Sequence, residues 1–125
     1  APEEARLQFE ESIRRAIRQD GWLVDHPPEV EWFEGQFEAG ETAQDEDIVT
    51  SLAAAHREIS GFEADVTGVP YGSDLRLFTN HANMPCVLYG AGDVRLAHTV
   101  QEYVPLSEVK TLTGVLARLI TEWCG

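Results

Sequence analysis

Residues 84–105 constrain what this chain can fold into more than any other stretch. Residues 86–89 are an unbroken apolar run of strand length, a pattern typical of a strand that is buried on both faces. The run stops at Gly90, Ala91 and Gly92, and a histidine and a glutamate follow four residues apart. Because ligands of α/β proteins gather beyond the carboxyl ends of strands, this order predicts a functional site on an α/β scaffold.

Hydrophobic periodicity supplies the remaining predicted elements. Apolar positions at helical spacing predict three helices, at residues 3–19, 46–60 and 107–123. Asp45 is available to cap the second helix, and Gly61 is expected to end it. Alternation predicts one strand at residues 29–34, and a short strand is expected at residues 64–67. We therefore expect an α/β fold with a hydrophobic core of the size that is usual for a single domain.

Charge and cysteine content restrict the partners and the compartment. The 125 residues carry a formal net charge of -13, which repels phosphate backbones and anionic lipid surfaces. We expect no nucleic-acid partner and no membrane partner, and no apolar run reaches the length of a membrane span. Cys86 and Cys124 lack the spacing of a metal or disulfide motif, so we interpret both as thiols in the reducing cytoplasm.

His98 and Glu102 are the first candidates for chemistry. A neutral imidazole on a loop at a strand end is a common zinc ligand, although a surface histidine without metal fits the same pattern. Glu102 could hold the second ring nitrogen of a metal-bound histidine, or it could fasten the backbone where the loop enters the last helix. We expect a structural role for Glu102 rather than a catalytic one.

Two further groups of residues could contact a substrate. Backbone N–H groups of Gly90, Ala91 and Gly92 could face a substrate carboxylate or a developing oxyanion, and a plain glycine turn is the alternative. Asp74 and Arg76 could fix a short helix against this turn, or meet a charged group of the substrate. We expect a structural ion pair between them.

Two motifs carry a resemblance to a known family. They are the Gly-Ser-Asp-Leu-Arg run at residues 72–76 and the Ala-His-Thr-Val-Gln-Glu-Tyr-Val-Pro run at residues 97–105, which follows the Gly-x-Gly turn. In this order they resemble the zinc-dependent acetylornithine deacetylase and succinyl-diaminopimelate desuccinylase family of metallopeptidases. Ala91 stands where that family commonly has proline, which leaves the turn less constrained.

The resemblance implies a division of the chain. Catalytic domains of the family are α/β sandwiches interrupted by an α+β lid, which also forms the dimer. By this comparison residues 1–37 are the end of the lid or dimerisation domain, residues 38–44 are a linker, and residues 45–125 are the C-terminal part of the catalytic domain. The chain is then a C-terminal fragment of a longer protein that is a homodimer.

The resemblance also implies an activity. The family uses two zinc ions, with cobalt or manganese as alternatives, to hydrolyse the amide bond of an N-acyl amino acid or small peptide. His98 would supply one ligand, and the turn at Gly90–Gly92 would orient the substrate. The other ligands and the general base find no counterpart here, so we expect the isolated chain to be inactive. A non-catalytic binding or assembly module, and an unrelated small α/β domain in which the histidine is incidental, remain alternatives.

Overall fold

The computed structural model describes residues 2–33 and 37–125, which form helices joined by turns and extended segments. The four α-helices are α1 (Pro2–Gln19), α2 (Gly21–Asp25), α3 (Asp47–Ser60) and α4 (Leu106–Cys124). A π-helical turn at Leu77–His81 and a 3-10 turn at Val94–Leu96 lie between α3 and α4. No helix in these described ranges is long and apolar enough to cross a membrane.

Helix α1 confirms the first predicted helix and is stabilised by charged side chains on its surface. The Arg14 guanidinium lies 2.7 Å from the Glu10 carboxylate, and Arg18 lies 2.8 Å from Glu11. Such pairs on an exposed helix surface stabilise the helix only slightly, because water and salt screen the charges. Helix α2 was not predicted; the Asp20 carboxylate caps it by accepting bonds from the amides of Trp22 and Leu23 at 2.9 and 3.2 Å.

The strand predicted at residues 29–34 is wrong for residues 29–33, which are not paired with any strand; residue 34 lies outside the described residues. Trp32 packs edge-on against Phe9 of α1, with ring centroids 5.8 Å apart. Its indole N–H donates to the Glu10 carboxylate at 2.9 Å. The segment is therefore held against a helix by one aromatic residue, and the alternation of its side chains does not reflect a sheet.

The core lies between α3 and α4. The buried side chains are Val49, Leu52 and Ala55 of α3 and Val115 of α4, the last of which is fully buried. Leu119 of α4 packs against this cluster while remaining half-buried. The helix pair holds every buried hydrophobic residue among the described parts of the chain.

A glycine and an ion pair also contribute to the contact between α3 and α4. A Cβ added at Gly114 would lie 3.0 Å from the Ile59 side chain, so the glycine lets the two helices approach closely. The Arg118 guanidinium bridges to Glu58 at 2.8 Å. The predicted C-terminal stop is confirmed, because Gly61 adopts φ 79° and donates its amide to the Arg57 carbonyl. The predicted N-cap is wrong by one residue, because Glu46 rather than Asp45 occupies that position.

The α/β fold expected from the sequence is wrong. Residues 2–33 and 37–125 contain no β-strand, so neither an α/β sandwich nor the end of an α+β lid is present in them. The expected strands at residues 64–67 and 86–89 have no regular secondary structure and no backbone ladder. The Thr42 hydroxyl instead donates to the Cys86 carbonyl at 2.6 Å and accepts from its amide at 3.1 Å. An apolar run favours extended backbone, but a strand exists only where a second strand pairs with it.

Candidate functional site

The candidate site residues lie on the turn segment, which we define as residues 84–105, and on the neighbouring residues 73–76. The turn segment is built from local polar contacts. Asp93 accepts a bond from the Arg95 amide at 3.0 Å and starts the 3-10 turn. Its carboxylate also accepts from the Arg95 guanidinium at 2.9 Å, and this bond lowers the pKa of Asp93 to about 2. The carboxylate therefore stays charged, and keeps its hold on the turn, well into the acid range.

His98 is exposed and has a backbone conformation that few residues adopt. Its φ of 64° lies in the left-handed region, where a non-glycine residue is strained by roughly 1–2 kcal/mol. The Glu102 carboxylate accepts a bond from the His98 backbone amide at 3.2 Å. Glu102 thus contacts His98 through its backbone amide, and no hydrogen bond to the imidazole ring is present among residues 2–33 and 37–125.

The glycine turn differs from the predicted arrangement in one respect. The Gly92 amide, one of the expected substrate donors, donates at 2.8 Å to the Glu108 carboxylate in the first turn of α4. Gly92 also adopts φ 93°, a conformation that suits glycine. Ala91 is half-buried, while a Cβ at Gly90 would meet no atom within 4 Å. One of the amides that were expected to bind a substrate carboxylate therefore already donates to a glutamate carboxylate of the protein.

Asp74 and Arg76 are near in sequence but do not pair. In the described part of the chain the Arg76 side chain forms no ion pair with Asp74 or any other acid, and its Nε is buried without a hydrogen-bond partner. The guanidinium lies over the Phe37 ring, 5.1 Å from its centroid. Asp74 is exposed, and its carbonyl accepts the amide of Leu77 at the start of the π-helical turn.

A cleft of about 640 Å³ lies beside α3, and sequence reasoning missed it. His56 of α3 and Tyr89 face each other in its wall, with the His56 Nδ1 2.7 Å from the Tyr89 hydroxyl and their rings edge-to-face. Partial burial raises the pKa of Tyr89, so its hydroxyl keeps its proton at neutral pH. The two residues are 33 positions apart, and no local pattern could have joined them. His98 is not among the residues that line this cleft.

A resident metal would need more ligands than these residues bring together. Within residues 2–33 and 37–125 there is no group of three or more histidine, cysteine, aspartate or glutamate side chains placed to hold a metal ion. His98 offers one exposed imidazole, while structural and catalytic zinc sites use three or four protein ligands. The described residues therefore cannot form a complete metal site by themselves. They can supply one ligand, His98, to a site that is completed by other residues.

Comparison with known proteins gives one family and three curated relatives. A profile described as Peptidase family M20/M25/M40 matches residues 10–122, a range that contains both sequence motifs. The chain is 28% identical over 98% of its length to N-formyl-4-amino-5-aminomethyl-2-methylpyrimidine deformylase of Halalkalibacterium halodurans, and covers 30% of that protein. It is 26% identical over 94% of its length to the Bacillus subtilis enzyme of the same name, and covers 29% of it.

The third relative is an acetylornithine deacetylase of Myxococcus xanthus, which is 33% identical over 57% of this chain. The aligned part covers 20% of that enzyme. The chain therefore spans less than a third of the length of each of these relatives. No solved structure matches it.

Proposed function

Because the chain belongs to peptidase family M20/M25/M40, we propose that it forms part of a metal-dependent amidohydrolase that cleaves the amide bond of a small N-acyl compound. The names of its relatives support this substrate class, since a deformylase and a deacetylase both remove a small acyl group from nitrogen. An N-acyl amino acid or a short peptide is the substrate type that we propose. The match over residues 10–122 is the observation that carries the proposal.

His98 is the metal-binding residue in this proposal. Its imidazole is exposed, its backbone is held by Glu102, and its strained φ is the kind of outlier that clusters at functional sites. A bound zinc, cobalt or manganese ion would polarise the scissile carbonyl and activate water. Gly90, Ala91 and Gly92 would orient the substrate beside it.

One imidazole does not make a two-metal site, so the proposal assigns the other ligands and the general base to the part of the relatives' length that this chain does not span. The domain division at residues 38–44 belongs to the same proposal. The isolated chain is then inactive by itself. Zinc titration of the 125-residue chain together with an amidase assay tests this point, and tight stoichiometric binding with turnover would contradict it.

The central experiment uses the native polypeptide that carries this chain and a panel of N-formyl and N-acetyl amines and amino acids. We expect deacylation of at least one of them. His98→Asn is the informative variant, because asparagine tolerates the left-handed conformation and keeps the turn folded. We expect kcat/KM to fall by at least about 100-fold, since even groups that only orient metal ligands cost about 10- to 100-fold when mutated.

Metal analysis and a matched histidine provide the controls. The metal content of His98→Asn should fall by about one ion per chain, as expected when one site loses a ligand. His26→Asn replaces another exposed histidine, whose ring stacks on the Trp22 ring and lies 3.0 Å from the Trp22 carbonyl, and should change neither quantity. Unchanged metal content and activity in His98→Asn would contradict the assignment. Absence of any deacylation would favour a non-catalytic binding or assembly module.

Two finer points accompany the proposal. Both cysteines are free thiols, which supports a reducing compartment such as the cytoplasm. The homodimer implied by the family resemblance stays a prediction, and light scattering on the native polypeptide tests it. A monomer at all accessible concentrations would contradict it.

A further inference from the structure

We propose that the hydrogen bond between His56 and Tyr89 holds the glycine turn at residues 90–92 in the geometry that orients the substrate. Tyr89 directly precedes this turn, and His56 lies on α3, 33 positions earlier in the chain. The Tyr89 hydroxyl lies 2.7 Å from the His56 Nδ1, and the two rings meet edge-to-face with centroids 5.8 Å apart. One polar and one aromatic contact therefore fix where the turn begins relative to the helix.

The helix that carries His56 is the rigid side of this contact. Leu52, one helical turn before His56, and Ala55, the residue before it, are buried in one cluster with Val115 of α4. Close-packed interiors leave little room for such residues to shift. The position of His56 is therefore set by the packing of the two core helices.

Residues 86–89 bring Tyr89 to the helix through a succession of contacts. The Thr42 hydroxyl bonds to both backbone groups of Cys86. Val87 then packs against the buried cluster, and the Tyr89 side chain reaches α3. Because the Tyr89 contact is the nearest of these to the turn, it determines the direction in which the chain enters the turn.

The other end of the turn is held by the second core helix. The Gly92 amide donates at 2.8 Å to the Glu108 carboxylate, which lies in the first turn of α4. The turn is thus held by α3 at its start and by α4 at its end. A Cβ at Gly90 would meet no atom within 4 Å, so the first residue of the turn borders open space in which a ligand can lie.

The direction of the hydrogen bond follows from the protonation of the tyrosine. Partial burial raises the pKa of Tyr89, so its hydroxyl carries its proton at neutral pH. The hydroxyl donates to the unprotonated Nδ1 of a neutral His56 imidazole, which then carries its ring hydrogen on Nε2. An asparagine side chain places an oxygen acceptor close to the position of Nδ1, whereas a leucine side chain offers none. Substitutions can therefore keep or remove this single bond.

This inference deepens the proposed function and rests on it, because the geometry of the turn affects catalysis only if the turn contacts the substrate. Misplacement of reacting groups by about 1 Å can cost about 100-fold in rate. We expect loss of the bond to lower kcat for deacylation by about tenfold or more, with a much smaller change in KM. The metal content should stay unchanged, since His98 and its contact with Glu102 are untouched.

Variants of the native polypeptide locate the effect. Tyr89→Phe removes the hydroxyl and His56→Leu removes the acceptor, and each should show the loss in kcat. The double variant should lose no more than either single variant, because all three lack the same bond. His56→Asn keeps an acceptor and should retain most of the activity. The control Tyr71→Phe removes a hydroxyl that makes no hydrogen bond within residues 2–33 and 37–125, and should behave as the wild type. Circular dichroism verifies that each variant is folded.

Hydrogen–deuterium exchange measures the turn without turnover. The Gly92 amide is protected by its bond to Glu108, and a turn that is released at Tyr89 should open more often. We expect exchange at residues 90–92 to be faster by up to about tenfold in Tyr89→Phe, which corresponds to the loss of one hydrogen bond. His56→Asn should exchange at nearly the wild-type rate.

The outcomes separate this inference from the proposed function. An unchanged kcat or an unchanged exchange rate in folded Tyr89→Phe would overturn it, and so would additive losses in the double variant. Tyr89→Phe and His56→Asn decide the matter even where His56→Leu does not fold. If the native polypeptide deacylates no compound of the panel, the proposed reaction is refuted, while the exchange rates still decide whether the pair holds the turn. Deacylation that Tyr89→Phe leaves unchanged refutes only the role of the pair.

Discussion

The α3–α4 pair and the turn segment are held together by different forces. The helix pair buries Leu52, Ala55 and Val115 in one cluster. The turn segment has no buried residue, and side-chain carboxylates fasten its backbone at Gly92 and His98. Apolar burial is non-directional and makes the pair stable, while polar bonds to single amides fix the conformation of individual turns.

A functional side chain can be carried on the turn segment without disturbing the apolar core. A candidate ligand needs an exposed side chain in a defined direction, and a buried helix contact cannot supply one. The turn segment exposes His98 while two glutamates define the backbone on which it sits. Functional residues are commonly carried on loops that a rigid scaffold positions, and here the scaffold is the helix pair. The following variants test the contrast in order of expected effect.

The largest effect is expected at the centre of the helix pair. Val115→Asp places a charge at a position with 0% exposure, and should lower the free energy of unfolding by about 4 kcal/mol or more, enough to unfold a marginally stable domain. Urea unfolding followed by circular dichroism measures it. The control is Val109→Asp, the same change in the first turns of α4 at a residue with 36% exposure, which should cost far less. Equal losses would mean that the pair is not the core.

The next effect is expected where an extended segment joins the core. Thr42→Val removes the hydroxyl that pairs with both backbone groups of Cys86, and should cost about 2 kcal/mol because those groups are half-buried. Thr42→Ser keeps the hydroxyl and should restore most of the stability. If serine and valine destabilise the protein equally, the methyl group rather than the hydrogen bonds explains the role of Thr42.

A smaller effect is expected within the turn segment. Gly92→Ala forces a side chain into φ 93° and brings its Cβ to 3.3 Å from Val104, so a loss of about 1–2 kcal/mol is expected. Gly90→Ala meets no atom within 4 Å and should change the stability by less than about 0.5 kcal/mol. Chemical denaturation of the two variants gives the comparison. A Gly90 variant as unstable as the Gly92 variant would rule out the positive φ as the cause.

The smallest effect concerns the charge of Asp93. Its pKa in the folded protein is about 2, below the ordinary value of 3.8, so its stabilising effect is present above pH 3.8 and is lost as the pH falls through about 2. An NMR titration of the carboxyl carbon should show the low midpoint. Arg95→Gln should return the midpoint toward 3.8, whereas Arg57→Gln should leave it unchanged. A midpoint near 3.8 in the wild type would contradict the pairing.

The three longer helices and the family were predictable from the sequence because each rests on local information. The stop at Gly61 follows from the left-handed conformation that glycine adopts there, and the periodicity gave α1, α3 and α4 to within two residues at each end. The family resemblance is confirmed by the profile match, and it rested on two short runs around Arg76 and His98. The strands were not predictable, because an apolar run carries no information on whether a pairing partner is present.

The faces that the helices bury were only partly predictable. The apolar residues Leu116, Ile120 and Trp123 of α4 are 40%, 60% and 55% exposed, while Val115 is fully buried. Periodicity defines an apolar stripe, but the neighbour that covers it determines which part of the stripe is buried. In α4 the buried part of the stripe lies beside Gly114, where α3 approaches closely.

Helices α1, α3 and α4, the family and the spacing of His98 and Glu102 follow from the sequence, because propensity, turn chemistry and short motifs act over a few residues. The three-dimensional structure was needed to show that Thr42 pairs with Cys86, that Tyr89 meets His56 across 33 positions, and that the Arg76 Nε has no hydrogen-bond partner among residues 2–33 and 37–125. These contacts join residues distant in the chain, and whether a polar group is paired depends on everything packed around it.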